Sequence, residues 1–226
     1  TFIHPDFKDR MDLKYVKRFS ETRLDRDVFQ KLKDTAEQAG FKTICTGFDE
    51  PSVALIKEMG FDYIKIASCS FTDWPLLNKI ATLDLPVIAS TAGATLEQID
   101  NVVSFFTNRQ KQLSIMHCIG QYPTVKEDLQ INQIDLLKNR YPHISVGFST
   151  HEEPENYDSI KVAIAKGALL FEKHVAVDTE EYTKNAYSAT PSQVAEWLAA
   201  ASDALLMCGV QEKRHTSSSK EISDLR

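Results

Sequence analysis

Ile144-Ser-Val-Gly-Phe-Ser-Thr-His151 reads as a short buried strand that ends in a hydroxyl, Ser149, and an imidazole, His151. One helical crossover later comes Ala168-Leu-Leu-Phe-Glu-Lys-His174, a second apolar strand ending in Glu172, Lys173 and His174. If the two are parallel neighbours, their C-terminal ends lie side by side and both histidines point into one cleft. Two imidazoles on neighbouring strand ends can hold a divalent metal.

Working upstream, the same rhythm repeats. Residues 42–48, 63–68, 86–91 and 113–118 read as strands; 52–59, 74–83, 96–108 and 131–141 read as helices between them. A helix at 156–166 links the two opening strands, and a long helix at 192–207 follows, capped near Thr190-Pro191 and stopped by Gly209. Thr95 with Gln98 has capping-box spacing, and Pro75 falls in a first helical turn, where a missing N–H does no harm. Ahead of these, 25–40 reads as a helix with Val28, Leu32, Ala36 and Ala39 on its inward face, and 1–24 as a loop with a short irregular segment.

Short apolar strands alternating with helices predict a parallel sheet with crossover helices. An open doubly wound sheet and a closed β/α barrel both fit. The open sheet binds ligands at one switch point, whereas here each strand ends in polar chemistry: Thr46, Lys65 with Ser68, Ser90 with Thr91, His117, Ser149 with His151, Lys173 with His174. Functional groups at all C-terminal strand ends are the barrel pattern. Neither G-x-G-x-x-G after the first strand nor a Walker Gly-Lys-Ser is present. The expected fold class is therefore α/β, a TIM (β/α)8 barrel. About six units are countable, so the first two strands are expected to precede Thr1. The barrel domain is assigned to residues 1–210, and 211–226 to a polar tail or linker.

The 226 residues carry a formal net charge of −6, which speaks against general nucleic-acid or membrane-surface binding. No apolar run approaches bilayer length, and no signal peptide is visible. Cys45, Cys69, Cys118 and Cys208 are widely spaced without a C-x-x-C pair. They read as small buried thiols in a reducing cytoplasm.

YIKIAS, PVIAST, MHCIGQYP, VGFSTH and FEKH, in that order and spacing, resemble the sialic acid synthase family, the phosphoenolpyruvate-dependent N-acylneuraminate synthases. The resemblance implies that phosphoenolpyruvate condenses with the aldehyde of an N-acylmannosamine-type sugar to give a sialic-acid-like 3-deoxy-2-keto sugar acid. It further implies a Mn²⁺ or Mg²⁺ cofactor, a homodimer and a cytoplasmic location. His151 and His174 match the family's metal ligands. Lys65 and Ser68 match a K-x-x-S motif that meets phosphoenolpyruvate, with Thr46, Ser90 and Ser149 as further contacts. Lys65 and Tyr122 are the expected catalytic residues, Tyr122 lying near the sugar. A lysine inside an apolar strand also needs an anion on physical grounds, because its desolvation is costly. Of Glu172 and Lys173, one is expected to point into the barrel and the other outward.

Departures fall mostly on the sugar side. Ser70 stands where the family carries a glutamate, Gly120 where it carries an asparagine, and Thr150 where it carries an aspartate. The acid expected before the last helix has no counterpart in Lys184-Asn-Ala-Tyr-Ser-Ala-Thr-Pro191. Two rival readings are a non-catalytic sugar- or anion-binding barrel of polysaccharide biosynthesis, and an aldolase forming a Schiff base on Lys65.

Overall fold

The computed structural model describes residues 3, 5–209, 214, 215 and 217–225. The chain forms two compact units. One comprises the residues up to Gly120 with His143–Ser145; the other comprises Gln121–Pro142 and the residues from Val146 onward.

In the first unit, helices α1 (Lys14–Glu21) and α2 (Arg26–Gln38) precede a β/α alternation. It runs β1 (Ile44–Thr46), α3 (Glu50–Met59), β2 (Tyr63–Ile66), α4 (Trp74–Ala81), β3 (Val87–Ser90), α5 (Leu96–Thr107) and β4 (Leu113–Cys118). The strands pair in sequence order, all parallel, with Thr46 beside Lys65, Lys65 beside Ile88, and Ser90 beside Met116. Ile64, Ile66, Val87, Ala89, Leu113 and Ile115 are buried on one face of the sheet, and Lys65, Ser90 and Met116 on the other, as expected of strands covered on both faces. Helix starts are set by short polar side chains. The Asp49 carboxylate accepts from Ser52 N at 2.7 Å, and Thr95 and Gln98 form the expected reciprocal box, each worth about 1 kcal/mol. Gly60, at φ 74°, ends α3 in the left-handed conformation.

Two expectations are corrected here. The segment read as irregular contains α1, a helix of eight residues with no glycine or proline to interrupt it. The face of α2 expected to pack inward is instead open, with Val28 45% and Leu32 55% exposed. The helix is turned by about one residue. The Phe29 ring lies 6.3 Å from the Phe61 ring, and the Lys33 ammonium 5.9 Å from it. A long lysine stem can cover apolar surface as a hydrophobe does, and the periodicity rule had no way to count it.

In the second unit, α6 (Gln133–Arg140) is followed by β5 (Ser145–Thr150, of which Ser145 is counted with the first unit), α7 (Asp158–Ala165) and β6 (Leu170–Lys173). Long helix α8 (Pro191–Cys208) and short α9 (Ser219–Asp224) complete it. β5 and β6 are parallel neighbours, with Ser149 beside Glu172 and Thr150 beside Lys173. Ile160 and Ile164 of α7 form a small core with Trp197, Ala200 and Ala204 of α8. The small alanines let the two helices approach closely. Thr190 and Gln193 make the second capping box, with Pro191 in the first turn. The segment read as a tail carries α9, capped by the Ser218 side chain and without buried residues.

The six strands thus give an α/β fold, four parallel strands in one unit and two in the other. Among the described residues no helix is long and apolar enough to cross a membrane. The four thiols are free, but only Cys118 is fully buried; Cys69 and Cys208 are exposed. This corrects the expectation of four buried thiols, because Cys69 lies just past a strand end and Cys208 at a helix end.

Candidate functional site

The first unit builds an anion-type constellation on β2 and its neighbours. Lys65 is 9% exposed within an apolar strand. Its ammonium donates to Ser90 Oγ, itself buried, at 2.8 Å. The parallel register places Thr46 directly beside Lys65, and paired residues of a parallel ladder share a face. Thr46 also borders a cavity of about 320 Å³ lined by Arg23, Arg26, Phe29 and Asp49. Lysine and Ser68, three residues apart, cannot share a strand face. The structure resolves this by ending β2 at Ile66 and starting a 3-10 turn at Ser68. Ser68 Oγ accepts from Ala92 N at 3.2 Å, which ties that turn to the loop after β3.

Ser90 pairs with Met116, so alternation puts His117 with Ile115 on the face opposite Lys65 and Ser90. The imidazole is buried.

The second unit gathers the imidazoles. The His151 and His174 rings lie 5.2 Å apart, centroid to centroid. Tyr122 lies 4.1 Å from His151. His151 is buried and His174 exposed. The backbone fixes this grouping. His151 O accepts from Thr124 N at 3.0 Å, which holds the Tyr122 loop against the end of β5. His174 O accepts from Ala189 N at 2.8 Å, and Ala189 O accepts from Ala176 N at 3.0 Å. That pair of bonds straps the segment before α8 along the chain after β6.

The strap brings in a residue that sequence reasoning missed. The Tyr187 ring sits 5.1 Å from His174, 5.2 Å from Tyr122 and 6.1 Å from His151. Its stretch has no periodicity, and its one local signal, the Thr190-Pro191 cap, marks a helix start rather than a site.

Strand alternation sorts the rest. Ser149 shares a face with Glu172, and its hydroxyl donates to that carboxylate at 2.7 Å. The bond forms because the register sets the two side by side. Lys173 occupies the other face but is not directed to solvent. Its ammonium pairs with the Glu152 carboxylate at 3.1 Å, with side chains 3% and 1% exposed.

Whether the residues fit a metal can be tested on ring spacing. An ion about 2.1 Å from a ring nitrogen lies roughly 3.2 Å from that ring's centroid, so two rings on one tetrahedral or octahedral ion stand about 4.5–5.2 Å apart. The observed 5.2 Å fits. Among the described residues no third His, Cys, Asp or Glu completes a cluster. A two-imidazole set leaves positions open, which suits substrate oxygens rather than a closed structural site.

The model of the NeuB family matches residues 4–213, so the chain belongs to that family. A putative spore coat polysaccharide biosynthesis protein E from Chromobacterium violaceum superposes with TM-score 0.95 at 53% identity, over 99% of this chain and 66% of that one. The N-acetylneuraminic acid synthetase of Leptospira borgpetersenii superposes with TM-score 0.86 at 26% identity, over 97% and 77%. An uncharacterised protein of Methanocaldococcus jannaschii is 34% identical over 80% of this chain and 54% of its own. The chain spans about half the length of the curated relatives it matches.

Proposed function

We propose that this protein condenses phosphoenolpyruvate with the aldehyde of an N-acylmannosamine-type sugar, giving a sialic-acid-like 3-deoxy-2-keto sugar acid and inorganic phosphate. The observation that carries the reading is the His151–His174 pair at adjacent strand ends, with Tyr122 and Tyr187 packed against it. The name of the Leptospira relative supports the same reaction class. In this reading the six strands belong to a closed (β/α)8 barrel, and the enzyme works in the cytoplasm.

The chemistry assigns roles to the chain's own groups. Lys65, with Ser90 and Thr46, offers a buried cation and neutral donors to the phosphate or carboxylate of phosphoenolpyruvate. Ser68 lies on the neighbouring turn and adds a hydroxyl. Tyr122 lies on the acceptor side, and Ser149 acts through Glu172. His151 and His174 hold a divalent ion, Mn²⁺ or Mg²⁺, which when bound supplies Lewis-acid polarisation of the aldehyde. The enolpyruvate methylene forms the new bond to the aldehyde carbon, water adds to the former enol carbon, and phosphate leaves with its bridging oxygen.

In the full-length protein, EDTA treatment should abolish phosphate release and Mn²⁺ should restore it. Calorimetric titration of the stripped protein should show one Mn²⁺ site that disappears in His151→Ala and in His174→Ala. Full turnover in EDTA, or an alanine variant with normal Mn²⁺ binding, would show these histidines to be structural.

A further inference from the structure

Glu152 carries a buried charge in the second unit. Its side chain is 1% exposed, yet among the described residues one oxygen, Oε2, has no hydrogen-bond partner. The other oxygen accepts from Ser159 Oγ at 2.7 Å and from the Lys173 ammonium at 3.1 Å. Taking two charges out of water costs more than their pairing commonly returns, and a partly satisfied buried pair is a poor source of stability. Its position in the chain gives it a different use.

Glu152 directly follows His151, and Lys173 directly precedes His174. β5 ends at Thr150 and β6 at Lys173. Both imidazoles therefore stand on the first residue past the end of a strand, beyond the ladder that fixes the register of the two strands. Their carbonyls are anchored to different segments, His151 to Thr124 and His174 to Ala189. Neither of those bonds sets one histidine relative to the other. The ladder aligns only the residues before them, Thr150 beside Lys173; the ion pair adds a second tie beyond it, joining the residue after the first imidazole to the residue before the second. Ser159, in the first turn of α7, holds the same carboxylate oxygen and so fixes the pair to a rigid element.

We propose that Glu152 and Lys173 form a clamp that sets the spacing of His151 and His174, and that they are positioning residues for the metal site. The inference rests on the metal reading given above. The pair lies on the back of the strands, while Ser149, Glu172 and the imidazoles share the front. The clamp thus acts through geometry without contributing a ligand.

The test uses Mn²⁺ binding by the full-length protein, read by electron paramagnetic resonance and by the Mn²⁺ concentration that half-activates phosphate release. Lys173→Met alone leaves a buried carboxylate without its cation and is expected to lose the fold. The informative variant is Glu152→Leu with Lys173→Met, which removes both charges at similar volume. Ser159 then keeps its bond to the Asn156 carbonyl, at 3.0 Å. The double variant should fold with a thermal transition at or above that of the parent. Its Mn²⁺ affinity should fall tenfold or more, the half-activating concentration should rise in step, and the spectrum of bound Mn²⁺ should broaden. A folded double variant with Mn²⁺ affinity within twofold of the parent would overturn the clamp and leave the metal reading standing. A parent protein that binds no Mn²⁺ through His151 and His174 would overturn both. A double variant that fails to fold would also overturn the clamp, since the pair would then serve the fold itself.

Discussion

Tyr187 carries the clearest consequence at the scale of single residues. It occupies the stretch where the resemblance leads one to expect an acid, and it packs edge-on against His174 and at a tilt of 62° against Tyr122. A phenol ring brings no charge to this cluster of rings. It presents an apolar edge and one hydroxyl, a surface suited to the C–H face of a sugar. Tyr187→Ala is therefore expected to raise the KM for the sugar acceptor about tenfold, roughly 1.4 kcal/mol, with Mn²⁺ affinity nearly unchanged. Tyr187→Phe should stay close to the parent. Steady-state kinetics with the acceptor varied would decide this, and an unchanged KM in the alanine variant would reduce the ring to packing.

Among the elements, the junction of α3 and β2 is held by one carboxylate. Asp62 accepts from Thr43 N at 2.8 Å and Thr43 Oγ1 at 3.2 Å, and pairs with Lys42 at 2.9 Å. The Thr43 backbone N–H, then Lys42, lower its pKa to about 2, against about 3.9 in an unfolded chain. The folded protein thus binds the ionised form preferentially. That contribution is complete above about pH 4 and is lost as pH falls through about 2. Asp62→Asn should be less stable than the parent at pH 7, and the gap should close between about pH 4 and pH 2. Urea denaturation at several pH values measures it; a gap that ignores pH would mean the charge is immaterial. The caps of α5 and α8 were legible in the sequence because a capping box involves residues three apart. The packing of α2 was not, because it depends on Phe61, 32 residues from Phe29 along the chain.

For the whole molecule, the residues proposed for phosphoenolpyruvate and those proposed for the metal fall in different units. Lys65 and Ser90 belong to the first unit, and His151 and His174 to the second. Lys65→Met should weaken phosphoenolpyruvate binding by tenfold or more while leaving Mn²⁺ binding intact, and His151→Ala should do the reverse for the metal. Paired calorimetric titrations of both variants would check this. Loss of both ligands from either variant would show the two functions to be inseparable.

Sequence alone determined the order of β/α units, the strand-end positions of Lys65, His151 and His174, and the helix starts at Thr95 and Thr190. Each of these depends on residues within a few positions of one another, where periodicity and capping act. Only the tertiary structure decided that Ser149 meets Glu172, that His117 turns away from Lys65, that Tyr187 joins the imidazoles, and that Glu152 is buried against Lys173. Those outcomes depend on the register between strands and on where a returning segment is strapped, contacts between residues 13 to 36 positions apart, which no local pattern of side chains encodes.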